Sequence, residues 1–253
     1  MAFVLDHWKG KVAVVTGASA GIGAAVVEQL LCYDLKIVGL ARRKEQIEKL
    51  GKRLKNKKGK LFALKTDITA ETDIVQAFKW VEVNVGPIHI LVNCAGIFRF
   101  SSLLDSHATL WKETFDTNVL GLCITTREAI KIMKNNNGNG QIININGDFG
   151  HQIKCFPNLN VYPASKFAVR AITESVRQEL NISNIKIKIT SISPSNVNSN
   201  FIKASGANAH YVEAMRIIPS LDPKDVADAI CYVLSTPPNV LISEILINPV
   251  GGL

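Results

Sequence analysis

Lys11-Val12-Ala13-Val14-Val15-Thr16-Gly17-Ala18-Ser19-Ala20-Gly21-Ile22-Gly23 is the stretch that decides the fold. Its first half is a short continuous apolar run, the pattern of a strand buried on both faces. Glycines follow at once, and Ala24 to Tyr33 then reads as a helix. Glycines between a strand and a helix let the backbone approach a phosphate closely. The helix start behind them offers unpaired N–H groups and a partial positive charge. Three glycines alone say little, but in strand–turn–helix context they predict dinucleotide binding.

Working outward, strands and helices alternate. Strands are predicted at Lys36–Leu40, Leu61–Lys65, Ile88–Val92, Gln141–Ile145, Ile185–Ile192 and Glu244–Asn248. Helices are predicted at 44–55, Glu71–Asn84, Thr109–Lys134, Tyr162–Leu180 and from Asp222 to about Ser235. Within Glu71–Asn84 the apolar Ile74, Ala77, Phe78 and Val81 fall at helical spacing and face a sheet. Asn118 is awkward inside a helix unless its side chain bonds something. Asn135 to Gly140 reads as a turn. The polar stretch Asn198–Ile218, with Phe201, Tyr211 and Met215, reads as a long irregular loop of the kind that serves as a lid. No linker, repeat or break in composition interrupts the pattern. The fold class is therefore α/β: a single doubly wound, Rossmann-type domain over residues 1–253 with a mostly parallel seven-stranded sheet.

The second strand ends in Ala41-Arg42-Arg43. An NAD-selective site carries an acidic residue near this point. Arginines suit a 2′-phosphate instead, through charge-assisted bonds, so the cofactor expected is NADP(H). A second informative stretch is Ile142-Ile143-Asn144-Ile145-Asn146-Gly147, followed by a helix that opens with Tyr162-Pro163-Ala164-Ser165-Lys166. Residues four apart share a helix face. An ammonium beside a phenol pulls the phenol's pKa down from its usual ~10 and fits it to move a proton to or from an alcohol or carbonyl oxygen.

With 47% hydrophobic and 20% charged residues, the chain of 253 has the balance of a globular protein with a sizeable core. Its formal net charge of +8 is concentrated between Arg42 and Lys60, without interleaved aromatics or a zinc or helix-turn-helix pattern, so no nucleic-acid partner is expected. The 5 cysteines are scattered without metal-ligand spacing, as in a reduced cytoplasmic protein with no metal site. Met1 to Lys11 lacks signal-peptide character, and no apolar run is long enough to span a membrane.

In order and spacing, Thr16-Gly17-(three residues)-Gly21-Ile22-Gly23, Asp67, Asn93-Cys94-Ala95-Gly96, Asn118 and Tyr162-(three residues)-Lys166 resemble the classical short-chain dehydrogenases/reductases over essentially the whole chain. Trp8-Lys9-Gly10-Lys11, Ile142 to Asn146 and Gly150-His151 resemble the NADP-dependent subgroup that includes insect farnesol-dehydrogenase-like enzymes. The resemblance implies Tyr162 as general acid/base, Lys166 holding the nicotinamide ribose and lowering the Tyr162 pKa, and Asn118 anchoring a relay water. It also implies Gly17, Ser19, Gly21, Ile22 and Gly23 around the pyrophosphate, with Arg42 and Arg43 on the 2′-phosphate. Asp67 and Ile68 would meet the adenine, Asn93, Ala95 and Gly96 the adjoining ribose, and Pro194 and Val197 complete the cofactor site. The nucleotide-binding half would span about 1–140 and the catalytic half about 141–253, in a homodimer or homotetramer.

Two positions depart from the family. The catalytic serine, three residues before the glycine matched by Gly150, is Gly147 here. Asp148 beside it replaces the missing donor only if protonated. The family's Pro-Gly after strand six is Pro194-Ser195, tolerable unless that residue needs positive φ. Two readings stay open: an oxidoreductase for a lipophilic alcohol or carbonyl, its pocket lined by Phe98, Phe149, Phe156, Phe201, Tyr211 and Met215, or a catalytically weak or inactive binder of a small apolar ligand.

Overall fold

The computed structural model describes residues 4–136 and 138–252. Position 137, within the turn predicted at 135–140, lies outside the described residues, as do residues 1–3 of the N-terminal stretch. Seven strands form one sheet: β1 Val12–Thr16, β2 Lys36–Ala41, β3 Lys60–Lys65, β4 Ile88–Asn93, β5 Gly140–Ile145, β6 Ile187–Pro194 and β7 Glu244–Ile247, in the order β3-β2-β1-β4-β5-β6-β7. Every pairing is parallel, so the sheet is wholly rather than mostly parallel.

The alternation along β1 shows why helices must cover both faces. Ala13 and Val15 enter a core with α1 (Gly21–Leu30), α2 (Lys44–Arg53) and α8 (Pro223–Leu234). Val12 and Val14 point the other way, into a core with α3 (Glu71–Asn84), α5 (Gly121–Asn135) and α6 (Tyr162–Ile182). α3 has the predicted bounds. α8 opens with a reciprocal cap: the Asp222 side chain accepts from Lys224 N at 2.8 Å and the Asp225 side chain accepts from Asp222 N at 2.8 Å.

Three predicted elements need correction. The long helix at Thr109–Lys134 is α4 (Ala108–Phe115), a wider π turn at Asp116–Leu120, then α5. Asn118 sits in that π turn, and such turns aim a side chain sideways from an otherwise regular helix. The stretch Asn198–Ile218 is partly helical, with α7 at Ala209–Arg216, because Asn208 caps it by accepting from Tyr211 N at 2.8 Å. Strand six is also shifted onto Ile187–Pro194, two residues past its predicted start and end.

Candidate functional site

A cavity of about 990 Å³ opens at the carboxyl ends of the strands, where open α/β sheets bind ligands. At one end lies the glycine turn. The N-cap of α1, Ala20, makes no side-chain capping bond, so the first N–H groups of the helix are left for a ligand. A Cβ on Gly23 would stand 2.4 Å from Gly17 O, so only glycine lets the helix start close against the turn. Arg43 bonds the Ser19 hydroxyl at 3.5 Å, and Arg42 and Arg43 both line the cavity. An uncapped helix start, a backbone bare of Cβ atoms and two guanidiniums fit a phosphorylated dinucleotide.

Gly17, Ser19, Gly21, Ile22, Gly23, Arg42, Arg43, Asp67, Ile68, Ala95, Gly96, Tyr162, Lys166, Pro194 and Val197 all reach this cavity. Asn93 and Asn118 are not among the residues that line it. Asn93, 3% exposed, turns toward the helices: it donates to Asn144 Oδ1 at 2.9 Å and Thr126 Oγ1 at 3.1 Å, and accepts from Thr125 Oγ1 at 2.8 Å. It braces β4 against α5 and β5. Asn118, 2% exposed, accepts from Ile97 N at 2.8 Å and donates to Ile97 O at 2.9 Å and Ser165 Oγ at 3.1 Å. Its side chain ties the loop after β4 to α6. The π turn gives it that reach.

Tyr162 lies in the cavity wall among aromatic rings, with centroids 5.3 Å from Phe98, 5.8 Å from Phe149 and 5.9 Å from Phe201. Phe156, Tyr211 and Met215 line the same space, and the Phe100 ring packs on Tyr211 with centroids 4.5 Å apart. Lys166 Nζ lies 5.7 Å from the Tyr162 ring centroid and donates to Ile145 O at 3.1 Å. The electrostatics reverse the expected direction. Burial and then the Asp148 carboxylate raise the Tyr162 pKa far above its usual value, whereas burial lowers that of Lys166 to about 8. Desolvation penalises both charged forms, and the ammonium faces a strand carbonyl rather than the phenol oxygen. At neutral pH the phenol is therefore a proton donor.

Lys166 carries a cost that can be measured. Its folded pKa lies below the ordinary 10.5, so the ammonium destabilises the cofactor-free chain below about pH 8, and that burden is relieved as pH rises from there toward 10.5. Among the described residues no carboxylate pairs with it. Lys166→Met is expected to raise the stability of the cofactor-free chain at pH 7 by about 1–2 kcal/mol, with the gain shrinking by pH 10. Thermal melts at both pH values check it, and a lower melting temperature at pH 7 contradicts it.

Gly147 has φ +149°, a region side chains rarely adopt. Space is not the obstacle, since a Cβ there meets nothing nearer than Pro194 O at 3.7 Å and Tyr162 Oη at 3.9 Å. Asp148 does not stand in for the missing hydroxyl, because its Oδ2 is engaged by Lys154 Nζ at 2.7 Å. Ser195 has no positive φ, so serine fits there. Lys154 was not anticipated: the segment after Gly150 has no periodicity from which to place it. Among the described residues no cluster could hold a metal ion, and no helix is long and apolar enough to cross a membrane.

The sheet order, the uncapped glycine turn and the Tyr–Lys pair in one cavity define an oxidoreductase of the doubly wound α/β class. The short chain dehydrogenase family model matches residues 11–210, and the chain belongs to the short-chain dehydrogenases/reductases. It is 44% identical over 249 residues to a farnesol dehydrogenase of Aedes aegypti, covering 98% of this chain and 99% of that one. It is 40% identical over 253 residues to dehydrogenase/reductase SDR family member 11 of Mus musculus, covering 97% and 96%. Among solved structures, a short-chain type dehydrogenase/reductase from Mycobacterium marinum superposes with a TM-score of 0.88 at 25% identity, covering 96% of each chain. The closed form of a serine dehydrogenase complexed with NADP+ gives 0.84 at 25% identity, covering 93% and 94%.

Proposed function

We propose that this chain is an NADP(H)-dependent oxidoreductase that interconverts a lipophilic alcohol and its carbonyl compound. The observation that carries the reading is Tyr162, a phenol ringed by Phe98, Phe149 and Phe201 in the same cavity as the uncapped glycine turn. Residues 1–140 hold the dinucleotide and residues 141–253 supply the proton-transfer group and the substrate walls. Bound NADP(H) supplies the hydride chemistry. Tyr162 gives its proton to the substrate oxygen on reduction and takes one back on oxidation. Lys166 holds the nicotinamide ribose, and Arg42 and Arg43 take the 2′-phosphate. The aromatic wall orients an apolar substrate and excludes water. The farnesol dehydrogenase relative and the NADP+-bound structural neighbour support this reading.

A second reading, a binder with weak or no turnover, is favoured by one observation: Gly147 provides no hydroxyl beside Tyr162. One experiment separates the two. NADPH binding is titrated by fluorescence, then its oxidation is followed with isoprenoid, retinoid, steroid and small carbonyl compounds. Binding without turnover on any of them supports the binder, and failure to bind NADPH removes both readings. The cofactor preference has its own test. Arg42→Ala with Arg43→Ala is expected to weaken NADPH by about 10–100-fold, from the loss of charge-assisted bonds, while NADH changes little. Equal losses for the two cofactors mean that the arginines do not read the 2′-phosphate.

A further inference from the structure

The corner of the cavity around Gly147 lacks a side chain but holds charge. Asp148 and Lys154 form their 2.7 Å ion pair there with side chains only 9% and 14% exposed, and both line the cavity. Lys154 Nζ also bonds Ser195 Oγ at 3.4 Å. Ser195 follows Pro194, whose carbonyl oxygen is one wall of the space a side chain at 147 would fill; the Tyr162 hydroxyl is the other. The ammonium is thus tied to the residues next in chain to Gly147 and to Pro194, on the rim of the vacancy. Withdrawing two charges from water costs several kcal/mol per ion before their attraction offsets it. An aromatic cavity for an apolar ligand has no need of such a pair, so its presence beside the proton-transfer group calls for a function.

We propose that Lys154 supplies the hydrogen-bond donor that position 147 lacks: its ammonium, held by Asp148, exchanges the long contact to Ser195 for one to the substrate oxygen next to the Tyr162 phenol. The inference rests on the oxidoreductase reading. On reduction the carbonyl carbon receives the hydride from NADPH and the carbonyl oxygen receives the proton from Tyr162. Lys154 keeps its own proton throughout and stabilises the negative charge that builds on the oxygen between the two events. A fixed cation serves there as an oxyanion-hole donor does, without reorganising at the moment of reaction. Asp148 has a second consequence. It prevents Lys154 from swinging into the solvent, and so sets where the substrate oxygen is received.

The test compares wild type, Lys154→Met, Lys154→Arg and the double variant Lys154→Met with Gly147→Ser, all saturated with cofactor. Farnesal is the reduction probe; farnesol and farnesoic acid are the binding probes, the acid placing an anion where the reacting oxygen sits. In Lys154→Met, kcat is expected to fall about 10²–10³-fold with KM within about threefold, the pattern of an interaction made in the transition state. Its preference for farnesoic acid over farnesol should fall about tenfold or more, as befits a lost charge-assisted bond. NADPH affinity stays unchanged. Lys154→Arg should recover most of the loss, and Gly147→Ser should recover part of it in the Met background. A Lys154→Met enzyme with unchanged kcat, or one that loses both ligands and NADPH alike, overturns the assignment and makes the pair a structural brace. Wild type that holds NADPH but neither binds nor reduces these probes removes the isoprenoid substrate, and with it the role argued for Lys154.

Discussion

Tyr162→Phe is expected to lower kcat/KM for carbonyl reduction about 10³-fold, within the range that a positioned proton donor contributes, and to leave NADPH affinity within about twofold. The substitution removes one oxygen and keeps the ring that packs on Phe98, Phe149 and Phe201, so the cavity keeps its shape. Melting temperature serves as the control, and a fall in activity matched by a collapse in stability would mean that the oxygen holds the fold. The pH dependence follows from the sign of the shift. Burial and Asp148 hold the phenol protonated through neutral pH, so reduction, which needs the proton, should be level there and fall only in alkali. Oxidation needs the phenolate and should rise with pH across the accessible range. Asp148→Asn removes the anion that opposes ionisation and should move both limbs to lower pH. A rate of reduction that already falls between pH 6 and 8 would contradict the burial argument.

Helix and strand patterns were legible where burial sets a period. β1 alternates between two cores, α3 keeps its Ile74–Phe78–Val81 stripe, and Asp222 with Asp225 announces the start of α8. Motif order located the cavity, since the glycine turn and the Tyr–Lys helix both lie at strand ends. What the residues alone did not reveal depends on direction. Asn93 belongs to a recognisable motif, but its side chain leaves the sheet on the helix face and bonds Thr125 and Thr126, residues more than thirty positions on. Asn118 looked out of place in a regular helix; the π turn resolves this by widening the helix at that point. The phenol's pKa was expected to fall because Lys166 is four residues away. Spacing on a helix face does not record that the ammonium is itself desolvated and aimed at Ile145 O. The Asp148–Lys154 pair closes a loop without periodicity, which only tertiary packing defines.

The glycine turn yields the second large effect. Gly17 has φ +66°, and a Cβ on it would lie 2.9 Å from both the Cα and the N of Ala95 and 3.1 Å from the carbonyl carbon of Cys94. All three are backbone atoms, which no rotamer change moves aside. They are also held in place, because Cys94 N and Ala95 N donate to Thr16 Oγ1 at 3.1 and 3.0 Å. Gly17→Ala must therefore break those bonds or tilt the turn, in addition to the left-handed penalty of about 1–2 kcal/mol and an overpacking cost of about 1–3 kcal/mol. Moving the turn also moves the uncapped start of α1, through the Gly17–Gly23 approach. NADPH affinity is expected to fall about 100-fold, the equivalent of roughly 3 kcal/mol, together with a lower melting temperature. Gly51→Ala is the matched control. It lies inside α2, its Cβ would meet only Leu61 Cδ2 at an ordinary 3.5 Å, and alanine there should stabilise by about 0.5–1 kcal/mol. Fluorescence titration and melting of the two variants side by side decide the matter. If Gly17→Ala binds NADPH within threefold of wild type, the turn is not what positions the phosphates, and the close approach to Ala95 is only a packing detail.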